Sequence, residues 1–156
     1  MTRVGVTGHQ VIPASAIEWI RHEVEAWLLT QRPLVCLSSL AAGADQIVAV
    51  EALRQGGSVE AVLPCQAYET TFDDPHRVVF RDLLARATAV DVLPFTNPSE
   101  AAFMAAGEAI VAASDVLLAI WDGKPAAGLG GTGDVVKYAN EVAKPVHVIW
   151  PPGLRR

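Results

Sequence analysis

The hydrophobic pattern alternates between short apolar runs and longer segments with helical spacing. Six apolar runs rich in Val, Leu and Ile are typical of strands buried on both faces. Between them, apolar residues recur at helical spacing, as Ile20, Val24 and Leu28 do in the first segment. The pattern predicts strands at 3–7, 34–37, 59–63, 90–95, 115–121 and 146–150, helices near 16–30, 45–54, 75–87 and 99–113 with a fifth ending near 143, and an irregular loop at 66–76.

This order predicts the fold class. Strands that alternate with helices form a parallel sheet covered on both faces. We therefore expect an α/β protein with three layers, a Rossmann-like and mostly parallel sheet of about six strands, and helices on both faces. One domain is expected to span residues 1–156.

One stretch combines a buried strand, a glycine-rich loop and the start of a helix. The apolar run 115–121 is followed by the loop 122–133, which is rich in glycine, and then by the last helix. Glycine lacks a Cβ atom, so the main chain can approach a ligand closely or adopt a positive φ. Because the first amides of a helix have no intrahelical partner, the stretch predicts a phosphate-binding loop. The alternative is a flexible connection in which glycine only permits a turn.

Two other strand ends carry small or polar residues. Gly8 and His9 follow the first strand, and the segment 38–45 follows the second. Ligands of such sheets bind beyond the carboxyl ends of the strands, so we expect these ends to share one crevice with the loop. The predicted ligand-binding residues are Gly8, His9, Ser38, Ser39, Gly43, Asp45, Trp121, Asp122, Gly123, Gly130, Gly131, Thr132, Gly133 and Asp134.

Ordinary structural roles remain open for several of these residues. His9 could contact a ligand or cap a turn. Ser38 and Ser39 could donate to phosphate or ribose, or cap the next helix. Asp45 and Asp134 could contact a ligand, or favour the positive end of a helix.

The candidate chemistry is limited. Trp121 is either a stacking platform for a base or a core residue. No residue is assigned as catalytic, and His9 and Asp134 are the candidates for proton transfer if chemistry occurs. No metal site is predicted, since no H-x-x-x-H or C-x-x-C spacing is present, and no cofactor is required. Cys36 and Cys65 are predicted to be small core residues.

Composition restricts the partners. A net charge of −5 argues against nucleic acid as a partner, because phosphate neutralisation needs a basic surface. No apolar stretch reaches the roughly 18 residues of a membrane helix, and the start has no signal-peptide pattern, so a cytoplasmic protein is expected. The hydrophobic fraction of 51% predicts a self-association surface and a homo-oligomer.

Three stretches carry a resemblance to a known family: Val6–His9, Ser38–Asp45, and Ser114–Gly123 leading to Gly130–Gly133. They resemble the SMF/LOG (SLOG) superfamily of Rossmann-like nucleotide-binding domains. That superfamily includes DNA-processing protein A, the LONELY GUY phosphoribohydrolases once called lysine decarboxylases, and molybdenum-cofactor carrier proteins. The resemblance implies a nucleotide-binding domain whose glycine-rich loop holds phosphate.

The chain departs from the LONELY GUY enzymes at the residues implicated in cleaving the N-glycosidic bond. Those enzymes carry P-G-G-x-G-T-x-x-E and an Arg-Lys pair in the preceding helix. Here Lys137 stands at the position of the Glu, and the helix 99–113 contains no Arg. An oxocarbenium-like transition state needs a nearby carboxylate, so the departure favours a binding protein over that hydrolase.

The sequence therefore predicts a protein that binds a nucleotide or nucleotide-derived small molecule through a phosphate-binding loop, as a sensor or carrier. The alternative is an enzyme that acts on a nucleotide-derived substrate, an N-glycosidic bond hydrolase lacking the LONELY GUY Arg/Glu pair. The sequence leaves open whether the protein is an enzyme. A third alternative is a DNA-binding protein similar to DNA-processing protein A.

Overall fold

Strands and helices alternate along the chain in a computed structural model that describes residues 1–126 and 128–155. Within these residues, all six strands are parallel, which confirms the predicted α/β fold. The strands are β1 (Thr2–Gly8), β2 (Leu34–Ser38), β3 (Ser58–Leu63), β4 (Ala89–Val92), β5 (Val116–Ile120) and β6 (Val146–Ile149). The α-helices are α1 (Ile17–Leu29), α2 (Ala44–Arg54), α3 (Asp74–Arg86), α4 (Glu100–Ala113) and α5 (Thr132–Glu141), and 3-10 helices span Ala14–Ala16 and Tyr68–Thr71.

The order of the strands creates a crevice at the carboxyl ends of the central strands. The order is β4-β3-β2-β1-β5-β6, so the chain proceeds outward from β1 to β4 and then returns to place β5 on the other side of β1. Helices α1, α2 and α3 pack on one face, and α4 and α5 pack together on the other. The direction reverses between β1 and β5, and the loops that leave these two strands diverge there. Gly8 lies opposite Ile120 in the register, so both strands end at this crevice.

The core lies on both faces of the sheet. Val4 and Cys36 belong to the cluster under α1–α3, whereas Leu37 and Leu117 face α4 and α5. Alternate residues of a strand point to opposite faces, so burial of both faces requires a continuous apolar run. Cys36 and Cys65 are both buried, as predicted. Among the described residues, no helix is long and apolar enough to cross a membrane.

The predicted end of β4 was wrong. The strand ends at Val92, and a tight turn follows in which the Phe95 amide donates to the Leu93 carbonyl at 2.8 Å. Leu93 and Phe95 continue the apolar run of the sequence, but their side chains pack against the core without extending the strand. The side chains of Val90 and Val92 at this sheet edge are 47% and 45% exposed. The expected homo-oligomer stays a prediction.

Gly43 joins the loop after β2 to the loop after β1. Its φ is +81°, and a Cβ atom at this position would lie 2.3 Å from the carbonyl oxygen of Gln10. The next amide, of Ala44, donates to the His9 carbonyl at 3.1 Å. This close approach of two backbones needs glycine and fixes the end of β1 against the start of α2.

Gly56 provides a matched control for the effect of this contact on stability. It has the same φ of +81°, but a Cβ atom there would meet nothing within 4 Å. We expect Gly56→Ala to lower the free energy of unfolding by about 1–2 kcal/mol through backbone strain alone. Gly43→Ala is expected to add about 1–3 kcal/mol from the steric clash. Equal losses in urea unfolding followed by circular dichroism would contradict the contact.

Candidate functional site

A cavity of about 380 Å³ opens at the carboxyl edge of the sheet, where the strand order reverses. Small-molecule sites of α/β proteins occur at this place, and their volumes are roughly 300–1,000 Å³. The walls come from the ends of β1 and β2, the segment after β3, one side of α4, and the loop before α5. The lining includes Val6, Thr7, Gly8, His9, Gln10, Ser39, Ala41, Asp45, Pro64, Tyr68, Phe103, Ala106, Gly107, Ile110, Lys124, Gly130, Gly131, Thr132, Gly133 and Val135.

The start of α5 presents backbone amides at this cavity. The carboxylate of Asp134 accepts a hydrogen bond from the Gly130 amide at 3.2 Å, and Gly130 has a φ of +87°. No hydrogen bond joins the amides of Gly131, Thr132 or Gly133 to another residue in the described part of the chain. All three residues line the cavity. The helix therefore offers several N–H groups there, as a helix N-terminus does before any capping partner binds.

The loop before α5 packs closely over the first turn of that helix. A Cβ atom on Gly133 would lie 2.8 Å from the Ala126 amide nitrogen, and one on Gly131 would lie 2.8 Å from the Ala126 Cβ. Two of the predicted loop glycines therefore have a packing role. Residue 127 of the predicted loop lies outside the described residues. Lys124 of this loop is exposed, and it is the one lysine or arginine among the described lining residues.

His9 and Asp122 connect the ends of β1 and β5. The Nε2 atom of His9 lies 3.2 Å from Oδ1 of Asp122 and 3.1 Å from the Asp122 amide, and both side chains are buried. The His9 amide also donates to the Ile120 carbonyl, and Trp150 packs edge-on against the imidazole at 5.3 Å. Oδ1 of Asp122 accepts from the Lys124 amide. These contacts hold the start of the loop against the sheet.

Asp45 is a buried carboxyl group in the cavity wall. It lies in the first turn of α2, where its Oδ2 accepts from the Ala41 amide at 3.2 Å and its carboxylate accepts from the Ser38 hydroxyl. Burial raises the pKa of Asp45 to about 7, although the hydrogen bonds from Ala41 and Ser38 oppose the shift. A cavity group that titrates near neutral pH is a functional candidate.

Tyr68 lies in the same cavity and was not among the predicted residues. The segment 66–76, predicted as an irregular loop, contains a 3-10 helix that buries Tyr68 to 4% exposure. Its ring packs edge-on against the rings of Phe72, Phe80 and Phe103, with distances between ring centroids of 5.2, 5.7 and 6.5 Å. Burial, followed by the charge of Asp45, raises the pKa of the hydroxyl well above its usual value. Within the described residues, the hydroxyl makes no hydrogen bond. Tyr68 and Phe72 have the i, i+4 spacing of apolar residues on one face of a helix, and this spacing could have indicated from the sequence that both are buried.

The structure brings about half of the predicted ligand-binding residues together around the cavity. Four of them lie at or after the ends of β1 and β2, and the other four, residues 130–133, lie just before or at the start of α5. Their contacts with a ligand stay predictions. The predicted residues that line the cavity are Gly8, His9, Ser39, Asp45, Gly130, Gly131, Thr132 and Gly133.

The remaining predicted residues lie outside the lining, and most of them contact residues within it. Ser38 supports Asp45, and the Ser39 hydroxyl, although in the lining, donates to the Val62 carbonyl at 2.8 Å. Trp121 donates from Nε1 to the Lys124 carbonyl at 2.8 Å. The residues outside the lining are Ser38, Gly43, Trp121, Asp122, Gly123 and Asp134.

The fold and the cavity define a Rossmann-like α/β protein with a ligand-sized crevice, and solved structures share this fold. No family model matches the chain, and no curated protein matches it. DNA processing protein A from Helicobacter pylori is 19% identical with a TM-score of 0.68, over 97% of this chain and 67% of that one. Its counterpart from Streptococcus pneumoniae is 21% identical with a TM-score of 0.71, over 98% of this chain and 52% of that one.

A third solved structure is the molybdenum cofactor (Moco) carrier protein of Chlamydomonas, which is 18% identical with a TM-score of 0.57, over 94% of this chain and 74% of that one. The chain thus spans about half the length of the Streptococcus protein. DNA-processing protein A and the carrier proteins are two groups of the superfamily that the sequence resembles. At these identities the similarity shows the fold, and the Rossmann-like fold that the resemblance implied is confirmed.

The raised pKa of Asp45 predicts a specific dependence of stability on pH. The folded protein binds the Asp45 proton more tightly than the unfolded chain does, so this contribution to stability is complete below about pH 4 and is lost as pH rises through about 7. Asp45→Asn keeps an acceptor for the Ala41 amide but does not titrate. The free energy of unfolding of the variant, relative to the natural protein, is expected to rise between pH 4.5 and 7.5, by at most about 1.4 kcal/mol per pH unit, and then level off. A difference that stays constant in urea unfolding across this range would contradict the assignment.

Proposed function

We propose that the protein binds a nucleotide or nucleotide-derived small molecule, as a sensor or carrier, with the phosphate at the N-terminus of α5. The observation that carries this proposal is the set of amides of Gly131, Thr132 and Gly133, which line the cavity without a described protein partner. A helix N-terminus combines such N–H groups with a positive electrostatic potential, and both favour a phosphate.

The other walls of the cavity support a ligand with an apolar part. Lys124 adds a positive charge beside the start of α5. Phe103 and Ile110 of α4 and Val135 of α5 supply an apolar surface of the kind that a base or sugar ring packs against. A nucleotide combines an anionic phosphate with such a ring.

Charge favours a small ligand over a nucleic-acid strand. The Helicobacter protein is described as binding single-stranded DNA. Binding to a nucleic-acid strand uses several cations to neutralise successive phosphates. This chain has a net charge of −5, and Lys124 is the one lysine or arginine of the described lining. A single bound phosphate matches this charge better than a strand does.

Asp45 supports an enzyme as the second candidate function. A carboxyl group with a pKa of about 7 can act as a general acid at neutral pH. In hydrolysis of an N-glycosidic bond, water would add to the sugar carbon as the C–N bond breaks. Asp45 would give its proton to the departing base, and the proton released from water would restore the acid.

Two lysines, one in the loop before α5 and one in α5 itself, test the binding proposal. Lys124 lines the cavity, whereas Lys137 is an exposed residue of α5 outside the lining. We expect Lys124→Gln to weaken binding of nucleoside 5′-monophosphates about two- to fivefold, as for an exposed ion pair, and to reduce its salt dependence. Lys137→Gln, with the same change in net charge, should leave the dissociation constant unchanged. Isothermal titration calorimetry gives both values, and equal effects of the two variants would contradict a phosphate beside the loop.

The same samples distinguish the binding protein from the enzyme. A sensor or carrier returns the nucleotide intact after prolonged incubation, as measured by chromatography of the mixture. Release of free base that is lost in Asp45→Asn would replace the binding proposal with the hydrolase.

A further inference from the structure

We propose that Asp45 and Tyr68 form a subsite that binds the ribose hydroxyl groups of the ligand, so that the cavity selects ribonucleotides. This inference rests on the proposed function and adds the specificity of the same cavity. It follows from two buried side chains with polar groups, Asp45 and Tyr68, to which phosphate binding at the amides of α5 gives no role.

Asp45 has acceptor capacity that the protein does not use. An ionised carboxylate offers about four lone-pair positions. The described hydrogen bonds to this group come from the Ala41 amide and the Ser38 hydroxyl. The remaining positions suit hydroxyl donors. A phosphate at physiological pH presents mainly acceptor oxygens and negative charge, and would be repelled here.

Tyr68 supplies a hydroxyl group in the same cavity, close enough for the charge of Asp45 to raise its pKa. Only 4% of Tyr68 is exposed, and three phenylalanine rings pack against the tyrosine ring. Tyr68 lines the cavity, and its hydroxyl makes no hydrogen bond to the rest of the described chain, so the group is available to a ligand. A ribose hydroxyl can donate to Asp45 and accept from Tyr68, so the pair matches both functions of the group.

The order of the strands places this subsite and the phosphate-binding amides on opposite sides of β1. Asp45 follows β2 and the amides follow β5, and these strands flank β1 on opposite sides. Both groups line the same cavity of about 380 Å³, so one ligand can contact both. The amides of α5 therefore offer donors to a phosphate, and Asp45 and Tyr68 offer an acceptor and a donor to a ribose hydroxyl.

Paired nucleotides test the subsite by calorimetry at pH 8, where the Asp45 carboxyl group is mostly ionised. The probes are the four ribonucleoside 5′-monophosphates and their 2′,3′-dideoxy counterparts, with inorganic phosphate as the probe for the loop alone. For the natural protein, we expect loss of the two hydroxyls to weaken binding about tenfold or more. Tyr68→Phe keeps the aromatic packing and should reduce this ratio several-fold without changing the dissociation constant of the dideoxy probe. Asp45→Asn should also reduce the ratio. Tyr138→Phe, a tyrosine of α5 outside the cavity lining, serves as the matched control and should leave the ratio unchanged.

The outcomes separate this inference from the proposed function. If the ribonucleotides and dideoxynucleotides bind equally, or if both site variants keep the natural ratio, the subsite is wrong while phosphate binding at the loop stands. If the natural protein binds neither nucleotides nor inorganic phosphate, the proposed function fails and the subsite fails with it.

Discussion

An α-helix that starts at a cavity has amide groups that its own backbone cannot satisfy, and α5 illustrates this constraint. The carboxylate of Asp134 reaches back only to Gly130, and Gly131, Thr132 and Gly133 keep their amides at the cavity. The link between His9 and Asp122 holds the preceding loop against β1 and β5. The electrostatic character of this part of the cavity and the ligand that we propose both follow from this arrangement.

The position of the site could be predicted from the sequence because it depends on short-range patterns. Apolar runs define the strands, and strand ends with small or polar residues converge at one edge of a parallel sheet. His9, Asp45 and the glycines before α5 lie together for this reason. Tyr68 could not be placed in the same way, because its burial depends on Phe80 and Phe103, which are distant in the sequence. The predicted end of β4 was wrong for a related reason, since apolar residues after a strand can pack on the core without extending the strand.

The two ends of the cavity have opposite chemistry on a fold that has no fixed function of its own. Proteins with this fold bind different ligands, so the side chains at the site carry the functional argument. At one end, amides and Lys124 favour an anion; at the other, Asp45 offers a hydrogen-bond acceptor and Tyr68 a hydroxyl donor in a buried setting. This polarity would orient an elongated ligand and would separate a ribonucleotide from a simple phosphate ester.

Backbone amide shifts measured during titration test the central claim most directly. In a ¹⁵N–¹H spectrum, titration with inorganic phosphate is expected to move the amide signals of Gly131, Thr132 and Gly133 with a single saturating dissociation constant. The amide of Gly130, which already donates to Asp134, should move less. Unchanged signals at residues 131–133, with the largest changes elsewhere on the surface, would contradict binding of phosphate at the N-terminus of α5.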